Sequence, residues 1–435
     1  MRPIEQASYW LATRTPQPSE PLTGKIEADV AIIGAGFTGL WTAHFLRELD
    51  PSLNVVVVEQ GVAGYGGSGR NAGMISVCLD HSHELAAAHF GQEEADRLAK
   101  LGLQNIEELA AFAGNECDFE RTGQLHVALT PSQAEACRAM THGRFLNAEE
   151  TRAELNSPLY LGAGFVSGGG IINPVKLVDK LRRGLTLFER STVTGIDRNR
   201  VTTATGSVTA EKIVLATNAY SHHLFPKLLR HFIPLYDYIL VSEPLTPAQH
   251  AAIGWQHRQG VTDLRTFFNY YRLTADNRIL WGTSEAIYYP KNRVDEACDH
   301  SEPHYESLRE SFARHFPQLA GLKWDYAWGG PIATTTRLTP FFGTIGQVIY
   351  ALGYTGHGIG TTRVAGKILA HMAFAQPNDL LNLKMVQRKP FPYPPEPVRS
   401  WAVNTVTKSL RRVDAGEKPG LLLRVLDVLG IGFSS

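Results

Sequence analysis

Gly34, Gly36 and Gly39 stand in the spacing G-x-G-x-x-G, and the residues on either side decide what that spacing can do. The apolar run Val30, Ala31, Ile32 and Ile33 before them reads as a buried strand, and Leu40 to Leu46 opens a helix. In that setting Gly34 permits a tight turn, Gly36 lets the backbone approach a pyrophosphate, and Gly39 lets helix and strand pack closely. The helix N-terminus then offers unpaired N–H groups to phosphate oxygens. A second strand, Val55 to Val58, runs into Glu59, 20 residues beyond Gly39. A carboxylate there accepts hydrogen bonds from ribose hydroxyls and repels a 2′-phosphate. The register predicts a dinucleotide site for an adenosine without that phosphate, and the loop alone does not separate NAD from FAD.

Three further stretches carry groups fit for a cofactor. The segment "QGVAGYGGSGRNAGMIS" (60–76) holds six glycines between positions 61 and 74. It reads either as a flexible surface loop or as backbone lying against a flat ligand, with donors from Ser68, Arg70 and Asn71. In "AEKIVLATNAYS" (210–221) the strand residues Ile213, Val214 and Leu215 end in the small residues Ala216, Thr217, Asn218 and Ala219, which leave room for a cofactor at the sheet edge. In "VIYALGYTGHGIGTTRVAGKILAHM" (348–372) a strand leads through a glycine turn holding His357 into a helix whose start, at Gly358, Gly360, Thr361 and Thr362, again presents free N–H groups.

On the substrate side, Tyr270, Tyr271 and Arg272 lie on one strand, so Tyr270 and Arg272 point one way and Tyr271 the other. Arg272 and Arg337 are candidate clamps for a carboxylate or phosphonate, with a surface ion pair as the commoner alternative. Trp281 and Trp328 read as packing residues, and His81 and His83 as solvated rather than metal-binding.

The elements that must position these groups follow from pattern. The 435 residues allow two or three domains or one large α/β body with an insertion. Lysine plus arginine and aspartate plus glutamate both number 42, which disfavours nucleic-acid binding, and no apolar run approaches a membrane span. Cys78, Cys117, Cys137 and Cys298 are scattered like free thiols, and the N-terminal residues lack a leader pattern, so the expected location is the cytoplasm. A helix over 84–113, a strand over 119–129, a helix over 131–140 capped by Thr130, and a helix begun at Pro174 alternate as in α/β or α+β chains. Residues 236–330 are β-rich, with a hairpin turn at Ala275, Asp276 and Asn277. Residues 388–401 form a proline-rich linker, and 406–433 hold two amphipathic stretches, which either pack on the body or dock to a membrane surface or partner.

The ordered set "DVAIIGAGFTGL", "VVVVEQGVAGYGGSGRNAG", "VLATNAY", "WGGPIATTT" and "GYTGHGIGTTRVAGK" resembles the FAD-dependent D-amino-acid oxidase-like superfamily, within it the γ-glutamylputrescine oxidoreductase-like and aminophosphonate oxidoreductase-like branch, over about residues 8–376. The resemblance implies an α/β chain, α+β overall, with a Rossmann-like FAD-binding domain (1–85, 160–235, 330–376) interleaved with a mixed-sheet substrate domain (86–159, 236–329), followed by the extension 377–435. It implies that Gly34, Gly36, Gly39 and Glu59 hold the ADP half of FAD, while Gly67, Ser68, Arg70, Asn71 and Gly73 line the isoalloxazine. Phe37, Thr38, Gln60, Met74, Val193, Thr217, Asn218, Gly330 and Gly356 complete the expected contacts. The turn at 357–362, with Gly358, Gly360 and Thr361, would face the pyrimidine edge and stabilise the reduced anion. His357 matches a histidine of sarcosine-type oxidases, whose carboxylate-binding lysine three residues later is Gly360 here. Neither "WGGPIATTT" nor "SGRNAG" holds the cysteine or histidine that links flavin covalently in some members, so FAD is expected to be non-covalent.

The implied reaction is oxidation of a small primary or secondary amine by hydride transfer to FAD, with His357, Tyr270 and Arg272 as candidate catalytic residues, His357 alternatively a structural donor inside its turn, and oxygen or an electron carrier as acceptor. A desolvated pocket would favour the unprotonated amine. The alternatives are a dehydrogenase of a secondary amine or cyclic imino acid feeding a quinone or carrier, an NAD-dependent dehydrogenase, and a non-catalytic dinucleotide-binding protein.

Overall fold

The protein is represented by a computed structural model that describes residues 2–15, 17–140, 142–428 and 431. Gly24–Ile33 pairs in parallel with both Val55–Val58 and Gly206–Leu215, so the chain must cross over the sheet between them, and the helix Phe37–Leu49 makes the first crossing. Among the described residues this first sheet has eight strands. Its order runs Phe341–Ile345, Val348–Leu352, Gly206–Leu215, Gly24–Ile33, Val55–Val58, Thr186–Phe188, with Val193–Asp197 and Arg200–Thr203 folded back beside Gly206–Leu215. All four valines of Val55–Val58 are buried, as expected of a strand covered on both faces.

The helix Gly358–Ala373 follows Val348–Leu352, a strand with the same direction as Gly24–Ile33, so it and Phe37–Leu49 begin at the same edge of the sheet. Gly366 brings the two helices together. A Cβ there would lie 2.6 to 2.8 Å from Trp41 and the Thr42 nitrogen.

The second sheet, also of eight strands among the described residues, runs Trp324–Thr334, Ile233–Pro244, Arg278–Thr283, Asn269–Leu273, Gly260–Asp263, Gln124–Ala128, Gly162–Val166, Arg144–Asn147. One face buries an aromatic core in which Tyr271 stacks on Trp281 at 4.3 Å and Phe312 and Phe316 of the flanking segment close the other side. Trp281 and Trp328 are fully buried packing residues, as their surroundings in sequence imply.

Several elements differ from the expectation. The helix expected over 84–113 is two, His83–Phe90 and Gln92–Ala113, parted by Gly91 at φ +90°. The strand expected over 119–129 is Gln124–Ala128, while the helix Pro131–Arg138 carries the capping box that Thr130 and Gln133 encode. The β-rich stretch also contains the helix Glu302–His315, whose apolar residues cap the second sheet. Gly162–Val166 lies in this second sheet rather than in the first. The hairpin turn has Asn277 at φ +59°, which asparagine tolerates. Helices Val398–Asp414 and Leu421–Val428 occupy the tail, and residues 429, 430, 432 and 433 of the second amphipathic stretch lie outside the described residues.

Candidate functional site

At the C-terminal edge of the first sheet, Gly34 turns at φ +103°, and a Cβ on it would lie 2.8 Å from the Ala216 carbonyl oxygen. Gly36 has Ser68 Oγ 3.0 Å from its absent Cβ, and that hydroxyl accepts from the Phe37 N–H at 2.9 Å. Gly39 faces the Gly34 carbonyl and so serves packing, outside the cavity wall. Glu59 Oε2 accepts from the Ala35 N–H at 2.8 Å and Oε1 from the Gly61 N–H at 3.0 Å. Burial raises this carboxyl above the usual range, and those N–H groups oppose the shift. They fix the acid at the strand end, facing a cavity of about 1720 Å³ that begins at Gly34, Gly36, Phe37, Thr38 and Gln60.

The cavity continues past Val193, Thr217 and Asn218, whose Oδ1 accepts from the Gly353 N–H at 3.0 Å, to the glycine-rich segment. Gly67, Ser68, Arg70, Asn71 and Met74 line it there, opposite Gly330. Gly73 does not. Its φ is +68°, its N–H donates to Asn71 Oδ1 at 2.8 Å, and its carbonyl accepts from Arg272, so it turns the chain rather than walling the cavity. Arg70 and Asp299 form a buried ion pair at 2.7 Å, with side-chain exposures of 1% and 6%. Arg70 also donates to the Tyr65 carbonyl at 2.7 Å and the Gly329 carbonyl at 3.1 Å.

In the turn before Gly358–Ala373, Gly356, His357, Gly358, Ile359 and Thr362 line the cavity. Gly360 and Thr361, expected there, do not: the helical rotation turns them to the far side. The Gly360 carbonyl accepts from Asn105, and Thr361 donates to the Leu79 carbonyl. His357 Nδ1 lies 3.2 Å from His81 Nε2, with the rings edge to face at 4.0 Å. Burial takes His357 down to about 4, and burial and His357 lower His81 as well, so both are neutral at pH 7. His81 is therefore a cavity residue with its Nδ1 buried rather than a solvated one, whereas the His83 side chain, which also lines the cavity, is partly exposed and pairs with Asp96 at 2.7 Å. Among the described residues no group of three or more potential metal ligands is assembled.

Tyr270 lines the cavity and Arg272 does not. The two share a face, but Arg272 lies two residues further along and donates from Nη1 to the Gly73 and Ile172 carbonyls at 2.8 and 2.7 Å and from Nε to the Leu273 carbonyl at 2.9 Å. Burial lowers its guanidinium to about 9. Arg337 is likewise committed, to the carbonyls of Arg388, Pro340 and Met385 at 2.7 Å each, away from the cavity. Neither arginine is placed to clamp a substrate anion.

Two features escape the sequence reading. Asp237, from Ile233–Pro244, lines the cavity and accepts a hydrogen bond from the Tyr270 hydroxyl. Its signal in the sequence is an acid with apolar and aromatic residues on both sides, Leu235 and Tyr236 before it and Tyr238 and Ile239 after it. The tail also walls the cavity, through Trp401, Ala402, Thr405 and Val406 among others. Asp414 accepts from the Thr266 and Phe267 N–H groups at 2.7 and 2.8 Å, and Arg399 donates to Asn292 and the Leu229 carbonyl, so this helix packs on the body.

Phe37–Leu49 and Gly358–Ala373 both begin in this cavity, and neither has a side-chain hydrogen bond to its cap. One offers N–H donors beside the glycine loop and Glu59. The other offers them beside the part of the cavity lined by Arg70, Gly330 and His357. That donor set fits FAD: a pyrophosphate at the first helix and the electron-rich edge of a heterocycle at the second.

The family model described as FAD dependent oxidoreductase (DAO) matches residues 29–372. Gamma-glutamylputrescine oxidoreductase of Escherichia coli (strain K12) is 31% identical over 389 residues, covering 84% of this chain and 88% of that protein. A probable oxidoreductase OrdL of Haemophilus influenzae is 32% identical over 378 residues, covering 80% of this chain and 84% of that protein. Among solved structures, glycine oxidase from Geobacillus kaustophilus matches with a TM-score of 0.68 at 20% identity, over 83% of this chain and 99% of that one. L-proline dehydrogenase from P. horikoshii matches with a TM-score of 0.65 at 18% identity, over 82% and 96%. At those identities the likeness to the solved structures is one of fold.

Proposed function

Because the chain belongs to the DAO family of FAD-dependent oxidoreductases, we propose that it oxidises an amine with no carboxylate on the carbon next to nitrogen, of the γ-glutamylputrescine kind. The observation that carries this reading is the charge of the cavity wall. Among the described residues that line it there is no lysine, and the arginines are Arg70, Arg265 and Arg399. Arg70 is paired with Asp299, Arg265 with Asp263 at 2.7 Å, and Arg399 with Asn292 and main-chain carbonyls. An α-amino acid would bring its carboxylate into an apolar wall with no free cation to meet it. An amine that bears its anionic group far from the reacting end avoids that cost. The same argument favours a γ-glutamylputrescine-like substrate over an aminophosphonate.

In this reading Gly34, Gly36, Phe37, Thr38, Glu59 and Gln60 hold the ADP half of FAD, and Ser68, Arg70, Asn71, Met74, Gly330 and His357 flank its ring system without a covalent link. Bound there, FAD supplies a two-electron acceptor for the hydride leaving the carbon beside nitrogen. Neutral His357 and His81 place a donor and an acceptor at that part of the cavity without adding charge. The product imine hydrolyses to an aldehyde, and electrons pass on to oxygen or a carrier. Leu421 and Val425 are exposed on the helix that also carries Arg424, which suits a peripheral membrane or partner contact.

The test is a matched pair: N-acetylputrescine and Nδ-acetylornithine, which differ by the α-carboxylate. The amine is expected to have a kcat/KM about 100-fold higher, the equivalent of roughly 3 kcal/mol for a carboxylate buried without a partner. Equal values, or a preference for the amino acid, would overturn the reading.

A further inference from the structure

We infer that Asp237 receives the substrate's ammonium group: its carboxylate binds the charged nitrogen and takes one proton from it, leaving the neutral amine that is oxidised. This rests on the reading of the substrate as an amine.

Asp237 sits on the cavity-facing side of Ile233–Pro244, with Leu235 and Ile239 two residues away on either side along the same wall. A carboxylate in an apolar row is costly to bury and needs a reason. Tyr270 supplies half of one. Gly282, on the strand between them, has no side chain, so the Tyr270 ring lies across it and the hydroxyl donates to Asp237 Oδ2. The other oxygen, Oδ1, is buried, and among the described residues no donor reaches it at hydrogen-bond geometry. Native structures seldom leave a buried carboxylate oxygen in that state. The Tyr270 hydroxyl and the Tyr238 backbone N–H are the groups that bear on its charge, and among the described residues no cation balances it. A cationic donor that enters through the cavity completes the site.

The proton balance is simple. An alkylammonium gives one proton to the Asp237 carboxylate, which becomes a neutral acid; the freed lone pair stays on nitrogen, and the proton returns to water after product leaves. A lysine-like ammonium has a pKa near 10.4, far above an ordinary aspartate. Burial pushes Asp237 up to about 7, which narrows that gap and makes it a better proton acceptor for an ammonium than an ordinary aspartate. His357, held at about 4, is the poorer acceptor. Because the carboxylate form accepts the proton, activity rises with pH through the Asp237 titration and is lost below it.

Anaerobic reduction of the FAD-loaded enzyme by N-acetylputrescine, followed from pH 6 to 10, tests this. Asp237→Asn keeps the shape and the Tyr270 hydrogen bond while removing the charge. It is expected to retain FAD, to reduce about 100-fold more slowly at pH 7.5, and to gain about tenfold per pH unit as the amine loses its own proton. Tyr270→Phe keeps the carboxylate but removes its donor, so the midpoint of the pH profile should move up. Wild-type rate and profile in FAD-loaded Asp237→Asn would overturn the assignment. If that variant fails to hold FAD, an unmoved midpoint in Tyr270→Phe overturns it and a raised one supports it. Failure of amines to reduce the wild-type enzyme would remove the proposed function, and this inference with it.

Discussion

A Gly36→Val protein is expected to fold and to purify colourless. A Cβ at Gly36 already falls 3.0 Å from Ser68 Oγ, which is fixed by its hydrogen bond to the Phe37 N–H. The two γ-methyls of valine must then point to the open side of the loop, where a pyrophosphate meets the start of Phe37–Leu49. Loss of roughly 3 kcal/mol of phosphate contact weakens FAD binding at least ~100-fold. The flavin absorbance per mole of protein reads this directly, with thermal unfolding of the FAD-stripped proteins as the control for folding. Full flavin content in Gly36→Val would mean that the glycine loop does not hold the cofactor.

Asp299→Ala is expected to cost about 3–5 kcal/mol of stability, because it leaves the Arg70 guanidinium buried and unpaired. The remaining contacts of Arg70, to the Tyr65 and Gly329 carbonyls, satisfy hydrogen bonds but not charge. Asp299→Asn should fall between the two. The damage reaches the cavity as well, since Arg70 Cβ and Cδ lie 3.2 and 3.1 Å from the position of a Gly330 Cβ and so form part of its wall. Urea unfolding of FAD-stripped protein is the measurement, because bound FAD stabilises the native state by mass action and would mask the change. A loss under about 1 kcal/mol would place the pair among the weak surface bridges that its burial argues against.

The dinucleotide end was legible in the sequence because each of its requirements is local. Gly34, Gly36, Gly39 and Glu59 sit at spacings set by one strand, one turn and one helix, and the structure puts Gly34, Gly36 and Glu59 on the cavity wall with Gly39 packed behind them. Alternation along Asn269–Leu273 also held, with Tyr270 and Arg272 on one face and Tyr271 in the aromatic core. What alternation does not encode is where along that face the cavity stops, and it stops between Tyr270 and Arg272. The same limit applies to Gly360 and Thr361, where spacing identified the helix start but its rotation chose which residues face inward. Asp237 was missed for a different reason. Its partner Tyr270 is 33 positions away, and the contact exists only because Gly282 leaves the strand between them bare. The role of Val398–Asp414 as cavity wall is likewise a product of distant docking, through Asp414 on Thr266 and Phe267.

The central claim, an FAD enzyme that oxidises amines, is tested most directly by the visible absorption spectrum of the purified protein without oxygen, before and after addition of N-acetylputrescine. The account predicts a yellow protein whose flavin band bleaches on addition of the amine, and readmission of air then separates an oxidase, which regains its colour, from a dehydrogenase, which stays bleached until a carrier is supplied. A protein that is colourless and cannot be reconstituted with FAD, or a yellow one that no amine bleaches while an α-amino acid does, would contradict it.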